Sequence, residues 1–200
     1  METFAEQLNR ITNKKRSFLC VGLDPDPKRM PISDLFEFNK CIVDSTIDLV
    51  VAYKPNLAFY EALGLQGLDS LRRTLDYIRT QSSEVLIIGD GKRGDIGHTS
   101  AAYAKALYIE WQFDAATVNA YAGLDSIQPF LSYKDKGVFI WCRSSNPLSE
   151  EVQKLKLDQS YGVKYFYEYL AILVYKWYGT NDNVGLVAGA TNVDDILNLK

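Results

Sequence analysis

The 200-residue sequence predicts an α/β fold, and within that class a (β/α)8 TIM barrel of which about six β/α units are represented. Short apolar, β-branched runs alternate with longer segments in which apolar residues recur every three or four positions. Several runs are almost wholly apolar, as expected for parallel strands covered on both faces. Polar residues follow the end of one run after another. Together these features favour one parallel sheet covered by helices.

The alternation predicts the elements in order. The predicted strands are residues 18–23, 50–54, 85–89, 115–119, 137–142 and 184–189. The predicted helices include residues 33–49, 70–80, 100–112 and 125–132. Helix N-caps are expected at Ser33, at Asp69 or Ser70, at Thr99 and at Asn192. No linker, low-complexity tract or internal repeat divides the chain, so we expect a single domain over residues 1–200.

The position of the polar residues decides between a barrel and a doubly wound sheet. They stand at the predicted strand ends: Asp24, Lys54, Asp90, Lys92, Asn119 and Ser144 to Asn146. A barrel brings all such residues to one mouth, whereas an open sheet gathers only those beside its switch point. Neither a dinucleotide-binding glycine motif nor a Walker lysine motif is present. The barrel is therefore favoured.

Charge and composition narrow the class of partner. The formal net charge is −3 and no Lys/Arg block occurs, so neither nucleic acid nor a membrane surface is expected to bind. The N-terminus has no signal-peptide core, and no apolar run reaches the roughly 18 residues of a membrane helix. Cys20, Cys41 and Cys142 are odd in number and far apart, which predicts buried, reduced thiols in a cytoplasmic protein. A small-molecule substrate is the expected ligand.

The most informative stretch is GDGKRGDIGHT at residues 89–99, after the third predicted strand. Asp90 and Lys92 are two positions apart, so in a strand both point to one face, which in a barrel is the interior mouth. Asp95 follows a glycine and either turns back to that point or reaches a neighbouring molecule. A lysine beside carboxylates stays protonated, and it can donate a proton and stabilise developing negative charge. From this stretch alone, an ordinary solvated loop remains an alternative.

Lys54 adds a second cation to this stretch. It ends the apolar run 50–53, where a buried ammonium is costly unless it is paired. Asp90, on the neighbouring strand of a barrel, is the expected partner. Alternatively, Lys54 extends its ammonium into solvent at the strand end.

A set of motifs in this order resembles the orotidine 5'-phosphate decarboxylases, in particular their shorter, bacterial-type branch with KRGDIG. The motifs are VGLDPD, YKPN, DGKRGDIGHT, VNAY, CRSSNP and VAGAT, and the similarity runs from about residue 18 to 200. The resemblance implies conversion of orotidine 5'-monophosphate (OMP) to uridine 5'-monophosphate (UMP) in pyrimidine biosynthesis. It also implies a homodimeric barrel that uses neither a metal nor an organic cofactor.

The resemblance further implies a role for each matching residue. Lys54, Asp90, Lys92 and Asp95 would form a charged catalytic network in which Lys92 donates a proton to the pyrimidine. Asp24 and Lys54 would bind the ribose hydroxyls, and Ser145 would meet the pyrimidine ring. Asp95, Ile96 and Thr99 would enter the active site of the partner subunit, so that each site needs two chains. Residues 146–158 would form a lid, followed by an aromatic segment that packs on the barrel.

The sequence departs from the family pattern at its C-terminal end. It stops after six units, whereas the family's glycine-rich segment and phosphate-binding arginine belong to the last two. We therefore expect a C-terminally shortened chain, with poor phosphate affinity if it ends at Lys200. Two other functions stay open: a related Mg-dependent sugar-phosphate decarboxylase or aldolase, and a catalytically silent nucleotide-binding fragment. His98 is expected to be a loop residue, and Arg93 to face the partner subunit or the phosphate.

Overall fold

The computed structural model describes residues 2–178, 183–191 and 193–199. Within these ranges a single six-stranded parallel sheet forms, with its strands adjacent in chain order. The strands are β1 Cys20–Leu23, β2 Ala52–Pro55, β3 Leu86–Arg93, β4 Ala115–Val118, β5 Gly137–Arg143 and β6 Val184–Ala188. A doubly wound sheet would reverse its strand order, so the sequential order confirms the barrel class. The six strands form a half-barrel.

Helices pack against the sheet, most of them on its outer face and the first on its inner face. They are α1 Phe4–Lys15, α2 Leu35–Thr46, α3 Leu57–Glu61, α4 Gly64–Gln81, α5 Gly97–Lys105, α6 Gln128–Leu131, α7 Glu150–Gln153, α8 Phe166–Tyr178 and α9 Val193–Leu197. A π-helical turn, Ala106–Glu110, extends α5. In the ranges that the structure describes, no helix is both long enough and apolar enough to cross a membrane.

Alternate residues of each strand enter two different layers. Ile87, Ala116 and Ile140 belong to the large core between the sheet and the helices. Leu86 and Ile88 face the other way, into a smaller core that Phe4 and Ile11 of α1 also enter. The interior of the half-barrel is therefore apolar at the end where the strands begin, and α1 packs there.

Several predicted helix starts were wrong. The N-cap of α2 is Asp34, not Ser33, since the Asp34 carboxylate accepts the Glu37 N–H at 2.9 Å. Thr99 was the predicted cap of α5, but this helix begins at Gly97 and Ile96 occupies the N-cap position. The predicted cap at Asn192 lies outside the described residues.

Helix α4 begins six residues earlier than expected because two glycines resemble a loop in the sequence. Gly64 adopts φ +59°, a conformation that turns the chain between α3 and α4. A Cβ on Gly67 would lie 2.0 Å from the carbonyl oxygen of Tyr60, so only glycine allows the two helices to pack this closely. Gly64 therefore serves the turn and Gly67 the packing. The cap expected at Asp69 or Ser70 is absent because those residues lie inside the helix.

The cysteines are only partly as expected. Cys142 is buried, but Cys20 and Cys41 are exposed, and all three are free thiols. Cys20 opens β1 at the edge of the sheet, and Cys41 lies on the outer side of α2, so neither has a neighbouring layer to cover it.

Candidate active site

Three charged residues meet where β2 and β3 end. Strand β3 continues past the predicted end to Arg93, so Asp90 and Lys92 extend the interior row of Leu86 and Ile88. Lys54 stands on the interior row of β2, two positions after Ala52. The interior-facing residues of β2 and β3 are therefore apolar where the strands begin and charged where the strands end at the mouth. We call Lys54, Asp90 and Lys92 the Asp90 centre.

Asp90 bridges the two lysines. Its Oδ2 accepts a hydrogen bond from Lys54 Nζ at 2.7 Å, and its Oδ1 accepts one from Lys92 Nζ at 2.7 Å. The Asp90 side chain is only 6% exposed, whereas the Lys54 and Lys92 side chains are 32% and 33% exposed. The carboxylate is therefore buried and the two ammonium groups reach the open mouth. Two cations and one anion leave a charge of +1 there.

The electrostatics of Asp90 keep it ionised. Burial pushes the pKa of Asp90 upward, but hydrogen bonds from Lys54, Lys92 and Thr117 outweigh it, and the pKa is lowered overall. An ionised Asp90 in turn stabilises both ammonium groups. The centre can therefore present fixed positive charge, with a transferable proton on Lys92, to an anionic ligand.

The backbone at Lys92 is strained. Lys92 adopts φ +46°, in the left-handed region that residues with a side chain rarely occupy. The pairing between β3 and β4 shifts register between Gly89 and Arg93, which places Lys92 at an irregularity of the ladder. Two residues on, a Cβ at Gly94 would lie 2.1 Å from the carbonyl oxygen of Asn119. This stretch is therefore held in one conformation by its neighbours on β4.

Asp24 lies beside the Asp90 centre at the end of β1. Desolvation raises its pKa, and the charges of Lys54, Asp90 and Lys92 all act on the carboxylate. Such coupling requires that the four groups share one mouth. The structure thus places Asp24 where the sequence predicts a binding residue.

A cavity of about 400 Å³ adjoins the centre on the β4 and β5 side. Its wall includes Asn119, Tyr121, Trp141, Ser144 and Asn146. The Trp141 ring centroid lies 5.8 Å from Lys92 Nζ, a distance typical of a cation–π contact. The predicted contact residue Ser145 is exposed between two lining residues, with its side chain outside that lining. Its role stays a prediction.

The other predicted residues lie on the loop after β3, away from the lysines. The Asp95 carboxylate accepts the Ile96 N–H at 2.7 Å and forms no ion pair with a described residue. Ile96 is exposed, and Thr99 is partly exposed in the first turn of α5. Ser100 anchors the loop, since its hydroxyl accepts the Asp95 N–H at 2.9 Å and donates to Ser126 O at 2.6 Å. One chain therefore brings together Lys54, Asp90, Lys92 and Asp24, but not Asp95.

Thr117 is a polar contact of the centre that the sequence analysis missed. It is buried on β4, and its hydroxyl donates to Asp90 Oδ1 at 2.7 Å and accepts the Lys92 N–H at 3.0 Å. The available signal was a threonine inside the otherwise apolar strand Ala115–Val118. Threonine is common in strands, so that signal alone predicts packing.

A second charged cluster, also missed, lies at the end of β5. Arg143 is 1% exposed, and its guanidinium contacts Asp195 at 2.7 Å, Glu150 at 3.3 Å and Gln153 at 3.1 Å. Lys154 contacts Asp195 at 3.2 Å. We call these five residues the Arg143 cluster. It fixes the segment after β5 that lines the cavity, because Gln153 also accepts the Ser144 N–H at 2.8 Å.

Two residues of the KRGDIGHT stretch have other surroundings. Arg93 pairs with Glu61 and stacks over the Tyr103 ring at 5.3 Å, so in this chain its side chain is engaged on the helix side. His98 is exposed in the first turn of α5, not in a loop as expected.

Comparison with known proteins gives one consistent family. Residues 17–200 match the profile described as the Orotidine 5'-phosphate decarboxylase / HUMPS family. The chain is 45% identical over 198 residues to the orotidine 5'-phosphate decarboxylase of Dehalococcoides mccartyi, covering 98% of this chain and 72% of that protein. It is also 45% identical over 194 residues to that of Herpetosiphon aurantiacus, covering 94% and 70%.

A solved structure agrees with the sequence relatives. The OMP decarboxylase of Leishmania donovani superposes with a TM-score of 0.87 at 36% identity, covering 98% of this chain and 74% of that chain. The profile match, the relatives and the superposition each extend over nearly the whole chain. This half-barrel, with two lysines around a buried aspartate at its mouth, therefore belongs to the orotidine 5'-phosphate decarboxylase / HUMPS family.

Proposed function

We propose that the chain decarboxylates OMP to UMP, with Lys92 as the proton donor and without a metal or organic cofactor. The observation that carries this proposal is the Asp90 centre, in which one buried carboxylate holds two ammonium groups at 2.7 Å in an open mouth. The similar proteins of Dehalococcoides mccartyi and Herpetosiphon aurantiacus bear the name of this activity.

The reaction needs positive charge at one ring atom. The bond between the pyrimidine ring and its carboxylate breaks, carbon dioxide leaves, and the electron pair stays on the ring carbon. The Lys92 ammonium stabilises that charge and then transfers its proton to the same carbon. The neutral amine that remains takes a proton from solvent. Because Lys92 is held on both its side chain and its backbone, little reorganisation is needed.

Asp90 and Lys54 prepare this step. Asp90 holds both ammonium groups by hydrogen bonds and directs Lys92 toward the mouth. Lys54 and Asp24 stand at neighbouring strand ends and bind the ribose hydroxyls. Ser145, which is exposed beside the cavity that Trp141 lines, meets the pyrimidine ring, and residues 146–158 close over the substrate.

We also propose a homodimer with shared sites, in the cytoplasm. The Asp95 carboxylate is exposed on a loop that Ser100 holds rigid, and Ile96 beside it is an exposed apolar side chain. A carboxylate presented in this way can complete the Asp90 centre of a second chain, with Thr99 entering the same site. Asp95 would then add a carboxylate beside the two ammonium groups of the Asp90 centre before substrate binds.

A second candidate activity is the magnesium-dependent reaction of sugar phosphates, which an acidic metal ligand at the end of β2 would favour. Lys54 stands at that strand end instead, and its ammonium already occupies Asp90 Oδ2. A cation in this place repels Mg²⁺ and weakens the same carboxylate as a metal ligand. The arrangement therefore favours the decarboxylase.

The first experiment measures UMP formation from OMP in excess EDTA. We expect full turnover, because the proposed charges belong to the protein. Turnover that stops in EDTA and returns with Mg²⁺ would establish the metal-dependent activity instead. Binding of UMP by calorimetry, without any turnover of OMP, would identify a silent nucleotide-binding module.

A mixing experiment tests the shared site. Lys92→Ala and Asp95→Ala proteins are each expected to be nearly inactive, but random mixing makes half of the dimers mixed, each with one intact site of two. About a quarter of the wild-type activity should then return. Mixed dimers that demonstrably form without any recovery would contradict the shared site, while leaving the reaction itself in place.

A further inference from the structure

Thr117 contacts both parts of the catalytic arrangement at once. Its hydroxyl has one proton to donate, which goes to Asp90 Oδ1 at 2.7 Å, and it accepts the Lys92 backbone N–H at 3.0 Å. The residue is 2% exposed, so solvent does not replace either bond. It lies on the interior row of β4, two positions after Ala115.

The Lys92 amide needs this acceptor because of the local backbone. The register shift between β3 and β4 takes the amide out of the regular ladder, and φ +46° turns it toward β4. A buried N–H without a partner is costly, and here a side-chain oxygen, the Thr117 hydroxyl, accepts the Lys92 N–H. The hydroxyl of Thr117 thus supports the strained conformation of the residue that carries the proton.

Packing alone does not require that hydroxyl. Valine has nearly the same shape as threonine and is at least as suited to a buried strand. A valine here would keep every apolar contact, but it would leave the Lys92 N–H and one acceptor site of Asp90 unsatisfied.

We propose that Thr117 is a positioning residue for the decarboxylation, whose hydroxyl fixes the Asp90 carboxylate and the Lys92 backbone and so aims the Lys92 ammonium at the reacting carbon. The proposal rests on the proposed function of the Asp90 centre. Thr117 acts through Asp90 and Lys92 and has no contact of its own with the substrate.

The test compares Thr117→Val with two controls. Thr117→Ser keeps the hydroxyl and loses only a methyl group. Thr74→Val makes the same chemical change at another buried threonine, which accepts the Asn39 side-chain N–H at 3.1 Å and donates to Ser70 O at 2.8 Å in the core between α2 and α4. We expect Thr117→Val to lower kcat by about tenfold to a hundredfold, with the Kd for UMP within about threefold of wild type.

The controls separate positioning from stability. Thr117→Ser should restore kcat to within about threefold of wild type, and Thr74→Val should leave kcat unchanged despite a comparable loss of stability. Hydrogen exchange of the Lys92 amide should accelerate in Thr117→Val and stay slow in Thr117→Ser.

The outcomes also distinguish this proposal from the proposed function. If the wild-type protein does not turn over OMP, the proposed function is wrong. Hydrogen exchange of the Lys92 amide would still report on what the Thr117 hydroxyl does. Active wild-type protein with an equally active Thr117→Val would overturn the positioning role. The positioning role would also be overturned if kcat fell as far in Thr117→Ser or in Thr74→Val as in Thr117→Val. The loss of turnover would then not depend on the Thr117 hydroxyl.

Discussion

The Asp90 centre and the Arg143 cluster are both charged groups at the end of an interior strand, but they are built in opposite ways. At β3 a buried anion holds two cations that are each about one-third exposed. At β5 a cation that is 1% exposed is enclosed by Asp195, Glu150 and Gln153. A charge at a strand end is thus not by itself a sign of chemistry. The charge that can act on a ligand is the one whose partners leave it open to the mouth.

Enclosure gives the Arg143 cluster a structural role. Its five residues connect β5, the short helix α7 and the terminal helix α9, and Gln153 also bonds to the backbone beside the cavity. Removing one partner of a buried pair leaves the other without compensation, which costs stability. Removing a partly exposed ammonium of the Asp90 centre is instead expected to affect the proposed reaction more than the fold.

The largest expected effect is on turnover at Lys92. Lys92→Ala should lower kcat by about 10⁴-fold or more, since it removes the proton donor and a fixed charge together. The Kd for UMP should change much less, because UMP carries no developing charge on the ring. Steady-state kinetics and calorimetry measure the two. A kcat that falls only as much as binding weakens would contradict the assignment of Lys92.

The next effect is on stability at Arg143. Arg143→Leu should lower the free energy of unfolding by about 3 kcal/mol, because Lys154 is then the one cationic partner left to Asp195 among the described residues. Glu150→Gln, which changes an exposed partner of the same arginine, should cost less than about 1 kcal/mol. Urea denaturation measures both. Equal losses in the two variants would show that enclosure does not set the energy of this cluster.

Acid should affect both clusters through their buried carboxylates. Burial alone would raise the pKa values of Asp90 and Asp195, but hydrogen bonds from their cationic partners lower both. A lowered pKa means that the ionised group adds stability above its unfolded value near about 4, and that this stability is lost as the pH falls through the folded-state value.

Urea unfolding from about pH 6 down to about pH 3 reports this loss. The decline should be shallower in Asp90→Asn and in Asp195→Asn than in wild type. Asp90→Asn should also lower turnover at neutral pH, whereas Asp195→Asn should leave most of it. An unchanged acid slope in both variants would contradict the lowered pKa values.

The smallest effect is expected on the outside of the barrel. Glu61→Gln breaks the ion pair between Glu61 and Arg93. The Glu61 side chain is 44% exposed and the Arg93 side chain 27%, so water and salt already screen the pair. The free energy of unfolding should fall by less than about 1 kcal/mol, with kcat unchanged. A large loss of turnover would mean that Arg93 acts on the site through Glu61, which its position on the helix side does not suggest.

The sequence was sufficient for the parts of the molecule that follow simple periodicity. Apolar runs located all six strands, and spacing by two placed Asp90 and Lys92 on one face. The end of β3 was predicted too early because glycines and charges at 89–93 resemble a loop. In the structure this stretch stays in the strand, since Asp90 finds cationic partners and a Cβ at Gly89 would lie 2.7 Å from the ring of Phe113.

Contacts between distant residues could not be predicted in the same way. Arg143 and Asp195 are 52 positions apart, and neither carries a local pattern that identifies the other. Thr117 resembles any strand threonine until β3 is placed beside it. The Asp95 carboxylate accepts the Ile96 N–H and pairs with no described cation of its own chain, so a single sequence predicts its loop but not a partner.

The interior row of β3 changes from apolar to charged within three consecutive positions of that row, Leu86, Ile88 and Asp90. The strand's beginning is packed against α1, and its end faces the mouth. Selection can therefore adjust heat resistance and reaction chemistry almost independently on one strand. A protein engineer could redesign the lower layers for a hotter host without retuning the proton donor.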